Sequence, residues 1–167
     1  RTIWKNRAEK GIILFDEFAK QLKFENVLES VEFYYQAIRK QNGAIGIILQ
    51  SINQLPNNST SASILENTQV IYSLNNEKGY EELVKRLNLS SHDLNQLKSI
   101  KNNLTGQRKY TEMFIKIGKE SNIFRLEVPK EVYAAYLTDG RENEIIMSLY
   151  KKTQDMEKAI KEFIAKT

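Results

Sequence analysis

The stretch Gly11–Phe18, with the sequence GIILFDEF, decides how this chain folds. Its apolar run Ile12–Phe15 is continuous, which predicts a short strand buried on both faces, because a half-exposed strand would alternate apolar and polar residues. Two carboxylates, Asp16 and Glu17, follow at once. The sequence therefore places two acidic side chains directly after a predicted buried strand, which is an unusual position for charged groups unless they have a structural or functional role.

Composition narrows the classes of protein to which the chain can belong. Its 167 residues predict one domain with a sizeable core. The absence of cysteine excludes disulfides, thiolate catalysis and Cys-ligated zinc, and the single histidine, His92, excludes a histidine-based metal cluster. A formal net charge of +4 permits an anionic partner without demonstrating one. No apolar stretch approaches the ~18 residues that a membrane span requires.

The segments after Gly11–Phe18 continue the pattern of an α/β protein. Apolar residues recur at three- and four-residue steps from Phe24 to Ile38, which predicts a helix that ends at Asn42-Gly43. A second apolar run, Ala44–Leu49, is closed by Gln50. Strand, helix and strand in this order predict a right-handed βαβ unit with two parallel strands in a covered sheet.

Later segments predict a third strand, an antiparallel hairpin and terminal helices. Ser90 three residues before Asp93 has the spacing of a capping box at a helix start. We expect a β-hairpin within 109–128 and a helical tail over 130–167. The elements that the pattern predicts are a third strand at Val70–Leu74, hairpin strands at Met113–Ile117 and Ile123–Val128, and a loop between them at 118–122.

Polar side chains at the predicted strand ends indicate a ligand site. Open parallel sheets bind ligands beyond the carboxyl ends of their strands, where Asp16, Glu17 and Gln50 are expected. An apolar strand that ends in Asp-Glu resembles the Walker B element of P-loop ATPases. Asp16 would then hold Mg²⁺ through its water shell, Glu17 would orient or deprotonate the attacking water, and Gln50 would sense the γ-phosphate. In the alternative interpretation Asp16 caps the following helix and Gln50 is a solvated loop residue.

Three stretches carry a resemblance to a known family: GIILFDEFAKQL, IRKQNGAIGIILQSINQL and SASILENTQVIYSL, which begin at Gly11, Ile38 and Ser61. Together they resemble the conjugative-transfer ATPases of type IV secretion systems, in particular the TraG-type ATPases of Bacteroides-like conjugative transposons. That group is related to TraC-type motor proteins and more distantly to the HerA/FtsK pumps. The resemblance covers most of the chain and continues into the predicted hairpin.

The resemblance implies a partial RecA-like P-loop NTPase domain that binds ATP and Mg²⁺. It also implies a hexamer at the cytoplasmic face of the inner membrane, associated with other components of the secretion channel and in contact with DNA. Asp16 and Glu17 match the Walker B pair, and Gln50 matches the glutamine of the next motif. Arg39 matches an Arg-Lys position before a glycine, so it could reach a phosphate in a neighbouring subunit, although a solvated cation at a helix C-terminus explains it equally well.

One departure from the family pattern bears on activity. The Walker A motif G-x-x-x-x-G-K-[ST] does not occur in the sequence, so the triphosphate has no cradle of amides and lysine. We expect that half to lie upstream of Arg1, which makes 1–167 the C-terminal portion of the ATPase domain and leaves this fragment alone without ATPase activity. The family's Walker A strand lies between the strands that match Ala44–Gln50 and Val70–Leu74. Without it, those two strands would pair directly, exchange elements with another copy, or self-associate.

The sequence therefore supports three hypotheses of function. The first is a part of an ATP-hydrolysing motor for conjugative transfer. The alternatives are a DNA-translocating pump of the HerA/FtsK class and a non-catalytic interaction module whose carboxylates are helix caps.

Overall fold

A computed structural model describes residues 9–24, 26–104, 109–137 and 140–166. The chain divides into two units with separate cores. The first unit comprises Arg1–Lys101 and Glu112–Phe124, and the second comprises Asn102–Thr111 and Arg125–Thr167. The α/β class is confirmed, with parallel strands, an antiparallel hairpin and C-terminal helices.

The predicted βαβ unit is present in the first unit. Strand β1 (Gly11–Phe15) pairs in parallel with β2 (Gly43–Ile47), and Phe15 lies opposite Ile47. Between them lie a four-residue helix, α1 (Phe18–Gln21), and a longer helix, α2 (Val27–Ala37). The parallel direction of the two strands is confirmed.

Asparagines in the left-handed region flank the helical segment that consists of α2 and the 3₁₀ turn after it. Asn26 has φ 65° directly before the helix, and Asn42 has φ 58° after the 3₁₀ turn Ile38–Gln41 that extends it. Asparagine tolerates this conformation better than most residues, which explains why the helix ends where the sequence predicts. The predicted start at Phe24 is wrong, because Phe24 precedes the helix and its side chain is 59 % exposed.

The two-stranded sheet is covered on one face. Phe15, Ile45 and Ile47 pack against a buried cluster that includes Val31 of α2. On the other face Ile12 and Leu14 are 73 % and 64 % exposed. The prediction of a strand buried on both faces is therefore wrong, since no segment among the described residues covers that second face. The buried members of the cluster are Phe18, Val31, Leu55 and Ile64.

The third strand does not join this sheet. Strand β3 (Val70–Ser73), which follows α3 (Ser59–Glu66), runs antiparallel to β5 (Tyr110–Ile117), with Val70 opposite Ile117. Among the described residues β2 pairs only with β1. The expectation that the second and third strands pair directly with each other is therefore wrong.

The hairpin loop is shorter than the sequence predicts. Only two residues separate β5 from β6 (Glu120–Leu126), so Glu120–Asn122 belong to the strand and not to the loop. Gly118 has φ 58°, a conformation that glycine adopts without the steric cost that a side chain would impose.

A second buried cluster lies around helices α4 (Tyr80–Arg86) and α5 (Ser91–Ser99). It joins Tyr80 and Leu97 of these helices to Phe114 of β5. The predicted capping box is confirmed, because the Ser90 hydroxyl accepts from the Asp93 N–H while the Asp93 side chain accepts from the Ser90 N–H.

Asp93 is also the centre of a buried polar network. Its carboxylate is 2 % exposed, accepts from the Ser121 hydroxyl at 2.6 Å, and pairs with the Lys116 ammonium at 3.2 Å. Burial by itself raises the pKa of Asp93, but the hydrogen bonds from Ser121, Ser90 and Lys116 outweigh it and hold that pKa far below its usual range. The N-terminus of α5 is therefore locked to the hairpin by a charged carboxylate.

The second unit has its own core, which is formed by side chains of its helices. Asn102 and Asn103 form a two-residue strand, β4, that pairs with Thr111 and Tyr110. The core is formed by Ala134, Ile146, Leu149, Ala159 and Phe163. Its helices are α6 (Lys130–Ala135), α7 (Gly140–Thr153) and α8 (Met156–Lys166).

Candidate functional site

The Asp16-Glu17 pair lies at the carboxyl end of β1, against the segment that follows β2. The Ile48 N–H donates to the Phe15 carbonyl at 2.9 Å, and the Ile48 carbonyl accepts from the Phe18 N–H at 3.1 Å. One residue therefore bonds to the backbone on both sides of the acidic pair. Since Ile48 is two residues before Gln50, the pair and the glutamine belong to the same end of the parallel sheet.

Two aromatic side chains anchor the acidic pair. Phe18 is fully buried, and its ring meets that of Phe15 edge-on with centroids 5.9 Å apart. Burying a phenylalanine side chain stabilises a fold by about 1.5–3 kcal/mol, so the residues flanking the pair are firmly held. Asp16 and Glu17 themselves are exposed. The pattern Phe-Asp-Glu-Phe thus fixes the backbone while leaving the carboxylates accessible.

Neither carboxylate caps α1. The Asp16 Oδ1 accepts from the N–H of the next residue, Glu17, at 2.8 Å, and the residue at the N-cap position is Glu17, whose side chain makes no capping hydrogen bond. A helix N-cap would accept from an N–H two or three residues further on. The interpretation of these carboxylates as caps of α1 is therefore wrong.

Glu17 adopts a strained backbone conformation. Its φ of 47° and ψ of 44° lie in the left-handed region, which costs a residue with a side chain of order 1–3 kcal/mol. Such strain persists only where the surrounding structure imposes it, and it concentrates at functional sites. The Glu17 carboxylate also forms an exposed ion pair with Lys20, and a pair of this kind contributes about 0–1 kcal/mol, so it opens easily.

Gln50 is held by its backbone and not by its side chain. Its N–H donates to the Gln54 Oε1 at 2.9 Å, and its carbonyl accepts from the Asn76 Nδ2 at 3.0 Å. Gln54 belongs to a capping box with Ser51 at the start of a 3₁₀ turn, Ile52–Gln54. Neither hydrogen bond uses the side-chain amide of Gln50.

The side chain of Arg86 holds the loop that follows Gln50. The Arg86 guanidinium donates to the carbonyls of Ile52 at 2.8 Å, Leu55 at 2.9 Å and Pro56 at 3.1 Å. Hydrogen bonds from a charged group contribute more than neutral ones, about 1.5–3 kcal/mol each where buried. Arg86 therefore fixes the path of the chain directly after Gln50.

Arg39 does not join the other candidate residues. It lies in the 3₁₀ turn Ile38–Gln41 before the amino end of β2, exposed to solvent, beside a shallow cavity of about 370 Å³ that Lys10 and Asn42 also line. The five residues of β2 separate it from Gln50, a span of roughly 15 Å at ~3.3 Å per residue. Arg39 therefore lies at the opposite end of the parallel sheet from the carboxylates.

Within the described ranges, the donor set fits Mg²⁺ that is bound together with a nucleotide. The described residues contain no group of three or more His, Cys, Asp or Glu side chains that could hold a metal ion. Magnesium in nucleotide sites usually keeps several waters and needs only one or two carboxylates plus the phosphates. The exposed Asp16 carboxylate at the strand end fits that limited requirement.

Four residues that hold Gln50 or the loop after it were not identified from the sequence. Ser51 followed by Gln54 has the spacing of a capping box, so that signal was readable. Asn76 and Arg86 carry no local signal, because they reach Gln50 and its loop from segments 26 and 30–34 residues further along the chain.

Comparison with protein families identifies the class. The family model described as the TraG P-loop domain matches residues 2–167, so the chain belongs to the TraG P-loop domain family. This membership points to a nucleoside triphosphatase of conjugative transfer. No curated protein matches the chain closely enough to identify a relative. None of the described helices has both the length and the apolarity needed to cross a bilayer.

Proposed function

We propose that this chain is the part of a conjugative-transfer ATPase that carries the Walker B carboxylates and the phosphate-sensing glutamine. Family membership supports the motor class, and the exposed acidic pair at the end of β1 supports the assignment of roles. The motor would work as a hexamer at the cytoplasmic face of the inner membrane, with other channel components as partners.

The reaction is the attack of water on the γ-phosphorus of ATP, which breaks the bond to the β–γ bridging oxygen and releases ADP and phosphate. Glu17 orients the water and accepts its proton at a carboxylate oxygen, after the exposed pair with Lys20 opens. Gln50 donates from its side-chain amide to the γ-phosphate and so reports whether that phosphate is present. Both side chains are presented by rigid backbone, which keeps the entropy cost of alignment low.

Asp16 would hold Mg²⁺ through coordinated water. The ion, when bound with the nucleotide, neutralises charge on the β- and γ-phosphate oxygens. Asp16 is suited to this role because its Oδ1 is oriented by the Glu17 N–H while the carboxylate stays exposed.

The observation that carries the proposal is the bracketing of the acidic pair by Ile48. Its two hydrogen bonds, to Phe15 and from Phe18, put the pair beside the segment that leads into Gln50. Asp16, Glu17 and Gln50 therefore follow their strands at the same end of the parallel sheet, the end at which such sheets bind ligands, and this supports the assignment of roles. Arg39, at the opposite end, would serve only a nucleotide held by a neighbouring subunit.

The decisive experiment is a Glu17→Gln substitution in the protein as its gene encodes it. We expect Mg-ATP binding to be retained and turnover to fall by at least about 100-fold, because general-base catalysis contributes about 10²–10⁴. Calorimetric titration measures binding, and phosphate release measures turnover. The matched control is Glu29→Gln, the same chemical change on an exposed residue of α2, which should leave both unchanged.

Retained turnover in Glu17→Gln would remove Glu17 from the mechanism. A gene that encodes no Walker A motif before Arg1 would favour the non-catalytic module instead. Micromolar binding of Mg-ATP by residues 1–167 alone would contradict the expectation that the triphosphate cradle lies outside this segment.

A further inference from the structure

The backbone of Gln50 is held from two sides by side chains of different segments. Gln54 Oε1 takes its N–H at 2.9 Å from within the same loop, whereas Asn76 Nδ2 reaches its carbonyl at 3.0 Å from the segment that follows β3. The first contact is local, four residues apart in sequence, and the second spans 26 residues. Only the second ties Gln50 to another part of the first unit.

Asn76 is itself anchored to the second buried cluster. Its N–H donates to the Tyr80 hydroxyl at 3.0 Å, and that hydroxyl donates to the Asn75 Oδ1 at 3.1 Å. Tyr80 is 2 % exposed and packs in the cluster with Leu97. The amide that holds Gln50 therefore has a rigid base.

Gly79 leaves the space that the Asn76 side chain needs. A Cβ added at Gly79 would lie 3.0 Å from the Asn76 Nδ2 and 3.3 Å from its Cγ, while the φ of −103° at Gly79 is one that any residue adopts. A side chain at position 79 would therefore crowd the Asn76 amide, whereas the backbone conformation there sets no requirement for glycine.

We propose that Asn76 is a positioning residue for Gln50. By holding the Gln50 backbone, Asn76 fixes the position of the phosphate-sensing side-chain amide relative to Asp16 and Glu17. The inference rests on the proposed function, because it assigns a purpose to the position of Gln50. The link runs from the buried Tyr80 through Asn76 to the Gln50 carbonyl, and the side-chain amide follows the backbone that carries it. A displacement of about 1 Å at such a group can cost up to about 100-fold in rate.

The test is Asn76→Ala in the protein as its gene encodes it, with Asn75→Ala as the matched control. Asn75→Ala removes a hydrogen bond from the same turn but not the one to Gln50. We expect kcat to fall about 10- to 100-fold in Asn76→Ala with KM for ATP within about twofold, and kcat of Asn75→Ala to stay within about twofold of the parent. Gly79→Ala, which displaces the amide without removing it, should reduce kcat in the same direction.

The double variant Gln50→Ala/Asn76→Ala separates positioning from a role in folding. If Asn76 acts through Gln50, its removal costs nothing further once the Gln50 side chain is gone, so the double variant turns over at the rate of Gln50→Ala alone. Additive losses, or equal losses in Asn76→Ala and Asn75→Ala, would overturn the proposal. So would an unchanged kcat in Asn76→Ala.

Hydrogen exchange distinguishes failure of this proposal from failure of the proposed function. Asn76→Ala should speed exchange at the amides of Gln50 and Ser51, because the segment loses its outer anchor. Faster exchange with Gln50→Ala fully active would refute the role of Gln50 and with it the proposed function. Unchanged exchange, with Gln50→Ala inactive, would refute the positioning role alone.

Discussion

Two short helices of the first unit begin beside an aspartate, and the two aspartates are treated in opposite ways. At the start of α5, Asp93 is buried, completes a capping box and binds Ser121 and Lys116. At the start of α1, Asp16 is exposed and its carboxylate accepts only from the adjacent N–H of Glu17 among the described residues. The same residue type in a similar local setting thus serves the fold at one helix start and remains accessible at the other.

The backbone differs in the same sense. Ser90 before α5 has an extended conformation, φ −77° and ψ 165°, which is usual for a capping residue. Glu17, at the N-cap position of α1, has a left-handed backbone conformation, and its side chain makes no capping hydrogen bond. The residues at the start of α5 therefore stabilise the fold, whereas those at the start of α1 destabilise it. A fold keeps such a cost where the exposed groups have another use.

The largest effect on stability is expected at the buried corner. Asp93→Asn should lower the free energy of unfolding by about 3 kcal/mol, because it leaves the Lys116 ammonium without a counter-ion where its side chain is only 17 % exposed. Urea denaturation measures the change. The matched control is Asp155→Asn, since the Asp155 carboxylate also accepts from a helical N–H and faces Lys158 but is 42 % exposed, so its loss should cost under about 0.5 kcal/mol.

Equal costs in the two variants would contradict the contrast between buried and exposed aspartates. It would mean that the network around Asp93 contributes no more than a surface cap.

An effect of intermediate size is expected on the acid side of the stability profile. The pKa of Asp93 is depressed in the folded state, so its contribution is complete above the unfolded value of about 3.9 and is lost as the pH falls below it towards the folded value. Each unit of depression contributes about 1.4 kcal/mol. As the pH falls from about 4 to about 3 and below, the parent should therefore lose stability more steeply than Asp93→Asn. Urea denaturation at a series of pH values measures the two profiles.

Parallel pH profiles for the parent and Asp93→Asn would show that other carboxylates cause the acid loss.

The smallest effect, with the opposite sign, is expected at the exposed corner. Glu17→Gly should raise the free energy of unfolding by about 0.5 kcal/mol, because relief of the left-handed strain exceeds the entropy that glycine loses on folding. Glu29→Gly, within the first turn of α2, should lower it by about 0.5–1 kcal/mol. Both are measured by urea denaturation at neutral pH.

A loss of stability in Glu17→Gly comparable to that in Glu29→Gly would show that Glu17 is not strained. The expected gain, together with loss of turnover in Glu17→Gln, would make this residue one that the fold carries for function and not for stability.

Local signals made much of the fold predictable. The apolar runs at the two parallel strands, Asn42 after α2, and the Ser90–Asp93 spacing each act within a few residues, so sequence reasoning identified those elements. The exposed face of β1 was not predictable, because a continuous apolar run does not say which of its faces another segment will cover.

For the candidate site, the sequence alone determined the order of its chemistry: an acidic pair after one apolar strand and a glutamine after the next, at the same end of a parallel pair. Only the tertiary structure decided that Asn76 and Arg86 hold Gln50 and its loop from distant segments. The physical reason is range. Strand ends and caps are set by neighbouring residues, whereas a side chain that bonds to a carbonyl 26 residues away is specified by the packing of the whole unit.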